Sequence, residues 1–194
     1  MNLLSVNVAK PTSIVIGTAA RETGIFKEPV DGAVAVTASG LARDAVCDTR
    51  HHGGVDQAVY VYGQPDYESW ARELGREWLP GTFGENLTVS HFESASATVG
   101  DRLIIGSVVL EVTAPRIPCG TFETRMGDPA FVKRFRDAER PGVYCRVLNE
   151  GWLRSGMAID YQRFAGDGIA VIRMLRDYYR GELDVVTLRR YLDA

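Results

Sequence analysis

Cysteine is scarce in this sequence, and long apolar runs are missing from it. The chain of 194 residues holds only Cys47, Cys119 and Cys145, at irregular spacings. An odd number of cysteines at such spacings argues against a disulfide framework and against a zinc motif, so we expect free thiols in a reducing cytoplasm. No apolar run approaches the ~18 residues of a membrane helix, and the N-terminal residues lack the pattern of a signal peptide.

Several well-known functional signatures are missing as well. The sequence has no G-x-G-x-x-G, no P-loop, no nucleophile elbow and no H-E-x-x-H, and we expect no pyridoxal phosphate site. The net charge of −3 provides no global basic field for nucleic acid or membrane, so neither is an expected partner. With 45% hydrophobic and 24% charged residues, the composition is that of a soluble globular protein.

Strand patterns dominate the first two thirds of the chain, and helices interrupt them. Alternation and β-branched content predict strands over residues 3–8, 32–40, 57–63 and 142–151, and a hairpin over 101–116. Helical spacing of apolar residues predicts helices over 65–75 and 127–138, the second with Asp128 as its N-cap. Two amphipathic helices without a strand follow Ala165. We therefore predict a mainly β, barrel-like domain over 1–163 with inserted helices, and a helical appendage over 164–194.

The segment TAPRIPCGTF, residues 113–122, presents a cysteine in a stiff turn. Pro118 fixes its own φ and biases Ile117 toward an extended conformation. The guanidinium of Arg116 favours the thiolate of Cys119, which is the form that acts as a nucleophile or a metal ligand. The alternative is that Cys119 is a small apolar residue filling a turn.

Two further segments carry polar groups at glycine-rich turns. In TRHHGGVDQA, residues 49–58, Gly53 and Gly54 can form a nest of backbone N–H groups for an anion, and His52 can donate to that anion. The alternative is a plain glycine turn with solvated histidines, which is the reading we adopt for His51. In PGTFGENLTV, residues 80–89, polar side chains lie next to a strand. Cys47 and Cys145 lie in apolar segments and are expected to be packing residues.

The order of these segments is more specific than any one of them. HGGVDQAVY, FGENL, GD before a hairpin, PRIPC and RPGVYCRVLNEG together resemble the MOSC family, named for the C-terminal domain of molybdenum-cofactor sulfurases, and within it the stand-alone bacterial YiiM-like subgroup. The resemblance runs from about Leu3 to Ile159. It implies a partly closed β-barrel whose matched loops line one cleft. It also implies a molybdenum cofactor (molybdopterin) in that cleft, with Cys119 as metal ligand and catalytic residue. The cofactor-binding residues expected from the matched loops are His52, Gly53, Gly54, Asp56, Gln57, Phe83, Glu85, Asn86 and Arg116.

The same resemblance implies a function. Related proteins reduce N-hydroxylated compounds such as hydroxylaminopurines, which would make this chain a molybdenum-dependent oxidoreductase served by a separate electron-donor protein. Two other hypotheses remain open. In one, the protein carries the cofactor or sulfur without substrate turnover. In the other, it is a metal-free cysteine hydrolase or transferase with His52 as base and Asp56 as orienting group.

The helical appendage carries an apolar stripe on each of its two helices. The first stripe and the second comprise Ile169, Ile172, Leu175 and Tyr179, then Val185, Leu188 and Tyr191. Helices this short do not bury such stripes on each other alone, and the YiiM-like subgroup has a third helix that this sequence lacks. We therefore expect a homodimer to which the tail contributes, with docking on the chain's own barrel as the alternative.

Overall fold

A computed structural model of the chain describes residues 1–49 and 52–193, so the prediction for His51 lies outside the described residues. The described residues form the strands β1 (Leu3–Val8), β2 (Thr12–Ile16), β3 (Ala19–Thr23), β4 (Glu28–Pro29), β5 (Val34–Thr37), β6 (Gly40–Leu41), β7 (Val59–Gly63), β8 (Leu87–Val89), β9 (Arg102–Ile105), β10 (Val108–Pro115), β11 (Val143–Asn149), β12 (Gly151–Leu153) and β13 (Asp160–Gln162). They also form the helices α1 (Gln64–Leu74), α2 (Gly120–Met126), α3 (Phe131–Ala138), α4 (Val171–Arg180) and α5 (Val185–Asp193). The fold is mainly β with several helices, as the sequence predicts.

One large sheet organises the fold. In the described part of the chain its strand order is β13-β9-β10-β11-β7-β8-β1-β4, with smaller sheets β12-β5-β6 and β2-β3. Neighbouring strands are antiparallel except β7 and β8, which run parallel and are joined through α1. The predicted hairpin forms with Gly106 and Ser107 as its two loop residues, and the φ of 61° at Gly106 suits the first central position of a type II′ turn.

The two ends of the large sheet approach each other without regular pairing. Leu3 donates its N–H to the carbonyl of Met157 at 2.9 Å, and Gly156 donates to the carbonyl of Leu3 at 2.8 Å. These bonds connect β1 to the segment just before β13. Across residues 1–49 and 52–193 no strand pairing closes the sheet, so the partly closed barrel stays a prediction.

Strand β7 separates two apolar cores because its side chains alternate between them. Val59 and Val61 face the aliphatic core inside the large sheet. Tyr60 and Tyr62 face an aromatic cluster formed with the helices. All five residues of β7 are buried, as expected for a central strand covered on both faces. The members of the aromatic cluster are Ile25, Tyr60, Tyr62, Tyr67, Trp70, Phe83, Phe122, Met126, Phe131 and Phe135.

The observed helices match the helices predicted from the sequence in part. α1 ends at Gly75, whose φ of 66° is the left-handed conformation that glycine adopts at a helix end. The N-cap predicted for the helix over 127–138 was wrong. That helix, α3, begins at Phe131, and Asp128 accepts a hydrogen bond from the Ala130 N–H in the preceding turn. The β2–β3 hairpin and α2 were not predicted.

The first tail helix docks on the chain itself. Val171 and Leu175 are fully buried, and Val171 donates its N–H to the carbonyl of Ala97 at 2.9 Å. Ile169 is buried just before the helix begins, so Val171 fills the position that the predicted stripe gave to Ile172. The division into two units at residue 164 stays a prediction.

The second tail helix is held by polar contacts and exposes its apolar side chains. The Tyr191 hydroxyl donates to Asp177 Oδ2 of α4 at 2.7 Å, and Arg190 pairs with Asp167 at 2.6 Å. Val185, Val186 and Leu188 are 63%, 77% and 46% exposed. None of the helices in the described ranges has both the length and the apolar character needed to cross a membrane.

We expect the exposed side of α5 to mediate the homodimer. Replacing Val186 or Leu188 with aspartate should turn a dimer into a monomer, because a carboxylate buried against an apolar surface lacks a partner. Light scattering measures the mass of each variant. Leu79→Asp is the matched control, since Leu79 is also 77% exposed and lies outside the tail. A monomeric wild-type protein would contradict the prediction.

Candidate active site

The site is an open cleft between the loops that follow β10, precede β7 and precede β8. Cys119 lies in it at the N-cap of α2, with φ −135° and ψ 176°. The cleft contains about 830 Å³ of empty space, including its solvent-open mouth. It brings together five of the predicted positions besides Cys119, namely His52, Gly53, Gln57, Asn86 and Arg116.

Cys119 and His52 form a pair within this cleft. The Cys119 Sγ lies 3.8 Å from His52 Nε2, although the two residues are 67 positions apart in the chain. Burial opposes the thiolate, but the hydrogen bond from His52, the Phe122 N–H and the charge of Arg116 outweigh it and lower the pKa of Cys119 to about 6. Cys119 is therefore largely a thiolate at neutral pH.

Arg116 provides a buried cation beside that thiolate. Its side chain is only 4% exposed, and Nη1 donates to the carbonyl of Phe83. The guanidinium carbon lies 4.3 Å from the ring centroid of Phe122 and 5.2 Å from that of Tyr60, so two aromatic faces share its charge. Its Nε has no hydrogen-bond partner among the described residues.

A buried ion pair supports the opposite wall of the cleft. Lys27 Nζ lies 2.5 Å from Asp44 Oδ2, with side-chain exposures of 8% and 6%. Burial lowers the pKa of Lys27 while the Asp44 carboxylate counteracts that effect. Asn86 donates from Nδ2 to Asp44 at 2.7 Å and accepts the Tyr60 N–H at 3.0 Å. Asn86 thus ties its loop to both the ion pair and β7.

The HGG loop contributes only part of its predicted set to the cleft. Gly53 and Gly54 have φ values of 81° and 82°, a conformation that favours glycine, and a Cβ at Gly53 would lie 2.8 Å from Val46. Gly54 is exposed and does not line the cleft. Asp56 is directed away as well, since its carboxylate pairs with Arg146 at 3.1 Å and is 62% exposed.

Phe83 and Glu85 lie behind the cleft wall rather than on it, and both are fully buried. Phe83 stacks on Tyr62 with ring centroids 4.7 Å apart, so its side chain belongs to the aromatic cluster. Glu85 Oε1 accepts hydrogen bonds from the Tyr67 hydroxyl and the Gly81 N–H at 2.5 and 2.7 Å. Burial raises the pKa of Glu85 despite these donors. Their direct contact with a cofactor stays a prediction, while their observed contacts fix the loop that holds Arg116.

The residues of the cleft that were not predicted as site residues include Lys27, Asp44 and Cys47. Cys47 was expected to be a packing residue, yet it is half-buried on the cleft surface. Burial and the nearby Glu22 carboxylate raise the pKa of Cys47. A lysine directly after the apolar residues Ile25 and Phe26 was the available sequence signal for a buried cation that needs a carboxylate.

The comparison with known proteins identifies the family. The sequence profile of the MOSC domain matches residues 48–160, which is more than half of the chain. The chain belongs to the MOSC family. The matched residues include the HGG loop, β7, the β9–β10 hairpin and Cys119. The MOSC chain is also 31% identical to the uncharacterized protein YflK of Bacillus subtilis (strain 168), over 98% of this chain and 86% of YflK.

Two further similarities concern a named activity and the fold. A protein named "Reductase" from Gibberella moniliformis (strain M3125 / FGSC 7600) is 33% identical over 71% of this MOSC chain, but the match covers 25% of that protein. The crystal structure of YiiM from Geobacillus stearothermophilus superposes with a TM-score of 0.78 at 25% identity, over 97% of this chain and 89% of that one.

We predict that Cys119 is alkylated at lower pH than the other thiols. The rate should rise with pH, with a midpoint near the pKa of about 6, and then level off, because only the thiolate reacts. His52→Ala should move the midpoint upward, since it removes the hydrogen bond that stabilises the thiolate. Iodoacetamide labelling of metal-free protein, read by mass spectrometry, measures both curves. Cys47→Ser is the control that should keep the low-pH reaction, and an unchanged midpoint in His52→Ala would contradict the assignment.

We also predict that Asp44→Ala is strongly destabilising. The substitution leaves Lys27 buried without a counter-ion, which typically costs about 3–5 kcal/mol. Urea unfolding measures the loss, and exposed Asp137→Ala should change the free energy of unfolding little. The double variant Lys27→Met/Asp44→Leu should recover much of the stability. A double variant as unstable as Asp44→Ala would show that the cost does not come from the uncompensated lysine.

Proposed function

We propose that the cleft holds a molybdenum cofactor with Cys119 as its protein ligand, and that the protein reduces N-hydroxylated compounds. The observation that carries the proposal is the Cys119 thiol, which lies in an open cleft next to His52 and the buried Arg116. A soft thiolate is a suitable ligand for a metal already bound by sulfur donors. Membership of the MOSC family and a relative named as a reductase support the same reading.

The polar groups that line the cleft suit a molybdenum cofactor. Arg116 Nε and Gln57 Oε1 are buried polar atoms without a partner among the described residues, and both residues line the cleft. Buried polar groups without partners are rare in folded proteins, so a polar ligand that satisfies them is favoured. Arg116 places a buried cation beside the cleft in a chain of net charge −3, and such a cation suits an anionic phosphate.

In this proposal each residue of the cleft has its own role toward the cofactor. Cys119 would ligate the metal, while Arg116, His52, Gly53, Gln57 and Asn86 would surround the organic part of the cofactor. When bound, the cofactor supplies the two-electron chemistry that cleaves an N–O bond. His52 keeps Cys119 in its thiolate form, and Arg116 offsets the negative charge that the ligand brings into the cleft. The aromatic cluster behind Arg116 keeps water from that side of the site.

Electrons reach the site from a separate electron-donor protein in this proposal, because the sequence carries no flavin or iron–sulfur motif. The described residues contain no group of three or more histidine, cysteine, aspartate or glutamate side chains that could hold a metal ion.

The two alternative functions require different residues around Cys119. A metal-free cysteine hydrolase needs a group that orients His52, and Asp56 does not serve, since it pairs with Arg146. A carrier of cofactor or sulfur uses the same Cys119 site and differs only in the absence of turnover. Reduction of a hydroxylaminopurine with a chemical electron donor separates this carrier function from the reductase.

We predict that Cys119→Ser loses both bound molybdenum and reductase activity while keeping the fold. A serine hydroxyl is a poorer ligand than a thiolate, and Cys119 contributes little to the core. Elemental analysis and turnover of protein from a cofactor-producing host measure the two losses. Cys47→Ser is the matched control in the same cleft and should retain the metal. Full molybdenum content in Cys119→Ser would refute the ligand assignment, and metal without turnover in the wild type would favour the carrier.

A further inference from the structure

The hairpin formed by β2 and β3 stands apart from the rest of the fold. The two strands pair only with each other in the described part of the chain, from Thr12↔Thr23 to Ile16↔Ala19. Gly17, with a φ of 62°, makes the tight turn at its tip. Most of its residues are exposed, and Val15 is 63% exposed. The hairpin is therefore an addition to the sheet whose packing contributes little to the core.

One face of this hairpin is directed toward the body of the protein. Directly opposite residues of an antiparallel pair share a face, so Ile14 and Arg21 lie on the same side. Ile14 is only 9% exposed, which marks that side as the inward one. Ile16 lies two residues further along on the same side. Its Cγ2 would be 3.7 Å from a Cβ at Gly120, so Ile16 packs close to the residue next to Cys119. The inward face thus covers the start of α2 beside the thiol.

The Arg21 side chain lines the cleft and forms no hydrogen bond or ion pair with any described residue. Two other cations of the cleft, unlike Arg21, have partners: Lys27 is paired with Asp44, and Arg116 donates to the Phe83 carbonyl. Its neighbour Glu22 lies opposite Ser13 and also lines the cleft, where its carboxylate acts on Cys47. Arg21 is therefore a free cation at the mouth, placed where an entering molecule passes.

We propose that the β2–β3 hairpin is a substrate-contacting wall and that Arg21 binds an anionic substituent, such as a phosphate or carboxylate, of the N-hydroxylated substrate. This inference rests on the proposed reductase function and names the substrate class of the same site. Ile25, two residues after β3, lines the cleft and supplies apolar surface for the body of the substrate, and Arg21 supplies one cation beside it. A guanidinium pairs with phosphate or carboxylate through two parallel hydrogen bonds, which gives it selectivity for such groups.

The test uses two compounds that differ in one phosphate: the riboside of 6-hydroxylaminopurine and its 5′-monophosphate. Cofactor-loaded wild type, Arg21→Gln and Arg154→Gln are assayed with a reduced viologen dye. Arg154 is the matched control because it is exposed and lies outside the cleft. Arg21→Gln should raise KM for the monophosphate about threefold to fivefold, the effect of a solvent-exposed ion pair, with kcat unchanged. The riboside should not respond. High salt should raise the wild-type KM for the monophosphate and have little effect in Arg21→Gln.

Two further measurements separate this inference from the reductase proposal. Calorimetry records the affinity for both compounds without turnover, so a selective loss of monophosphate affinity in Arg21→Gln supports the inference even if no reduction occurs. Molybdenum content should be equal in wild type and Arg21→Gln. Equal effects on both compounds, or no effect on either, would overturn the role of Arg21. A fall in molybdenum content would overturn it too, because Arg21 would then bind the cofactor.

Discussion

Arg116 carries a permanent positive charge into the interior, where only 4% of the residue is exposed. Burial of an uncompensated charge is costly, so the surrounding groups must offset it. The Phe83 carbonyl and two aromatic faces do part of this, and the Cys119 thiolate supplies the negative charge. The arginine thus has two effects at once. It fixes the glycine-rich loop that contains Phe83, and it favours the ionised form of the thiol.

The cleft keeps its shape because its loops are tied to each other through buried polar side chains. Asn86 binds β7 and Asp44, and Asp44 in turn binds Lys27. Glu85 holds the same loop from behind through Tyr67 and Gly81. Apart from the Glu85–Gly81 bond, which lies within one loop, these contacts join separate segments of the chain, and each leaves a buried polar group unpaired if it is broken. A ligand that enters therefore meets donors already in position, which reduces the cost of ordering them.

The parts of the fold that follow from local pattern were predictable from the sequence. β1 and the β9–β10 hairpin have clear period-two alternation, and the order of the loop motifs predicted that His52, Asn86 and Arg116 meet Cys119. The β2–β3 hairpin was missed because its strands are exposed and carry little apolar alternation. Gly54 and Asp56 were predicted from the family resemblance of the HGGVDQAVY motif, but neither lines the cleft, and the Asp56 carboxylate pairs with Arg146. The Lys27–Asp44 pair depends on a contact across 17 residues between two loops, which no local pattern encodes.

The contact between β1 and the segment before β13 has a consequence for how the chain reaches this structure. Leu3 bonds to Met157 and Gly156, partners more than half the chain away. During synthesis the ribosome releases β1 first, but its partners at 156–157 emerge only after most of the protein has been made. One end of β1 must wait without those hydrogen bonds while β7, β10 and β11 assemble. Folds with such long-range pairings form slowly, and their early strands are exposed to aggregation. A nascent chain of this protein therefore keeps the Leu3 end of β1 without these partners until residue 157 leaves the ribosome.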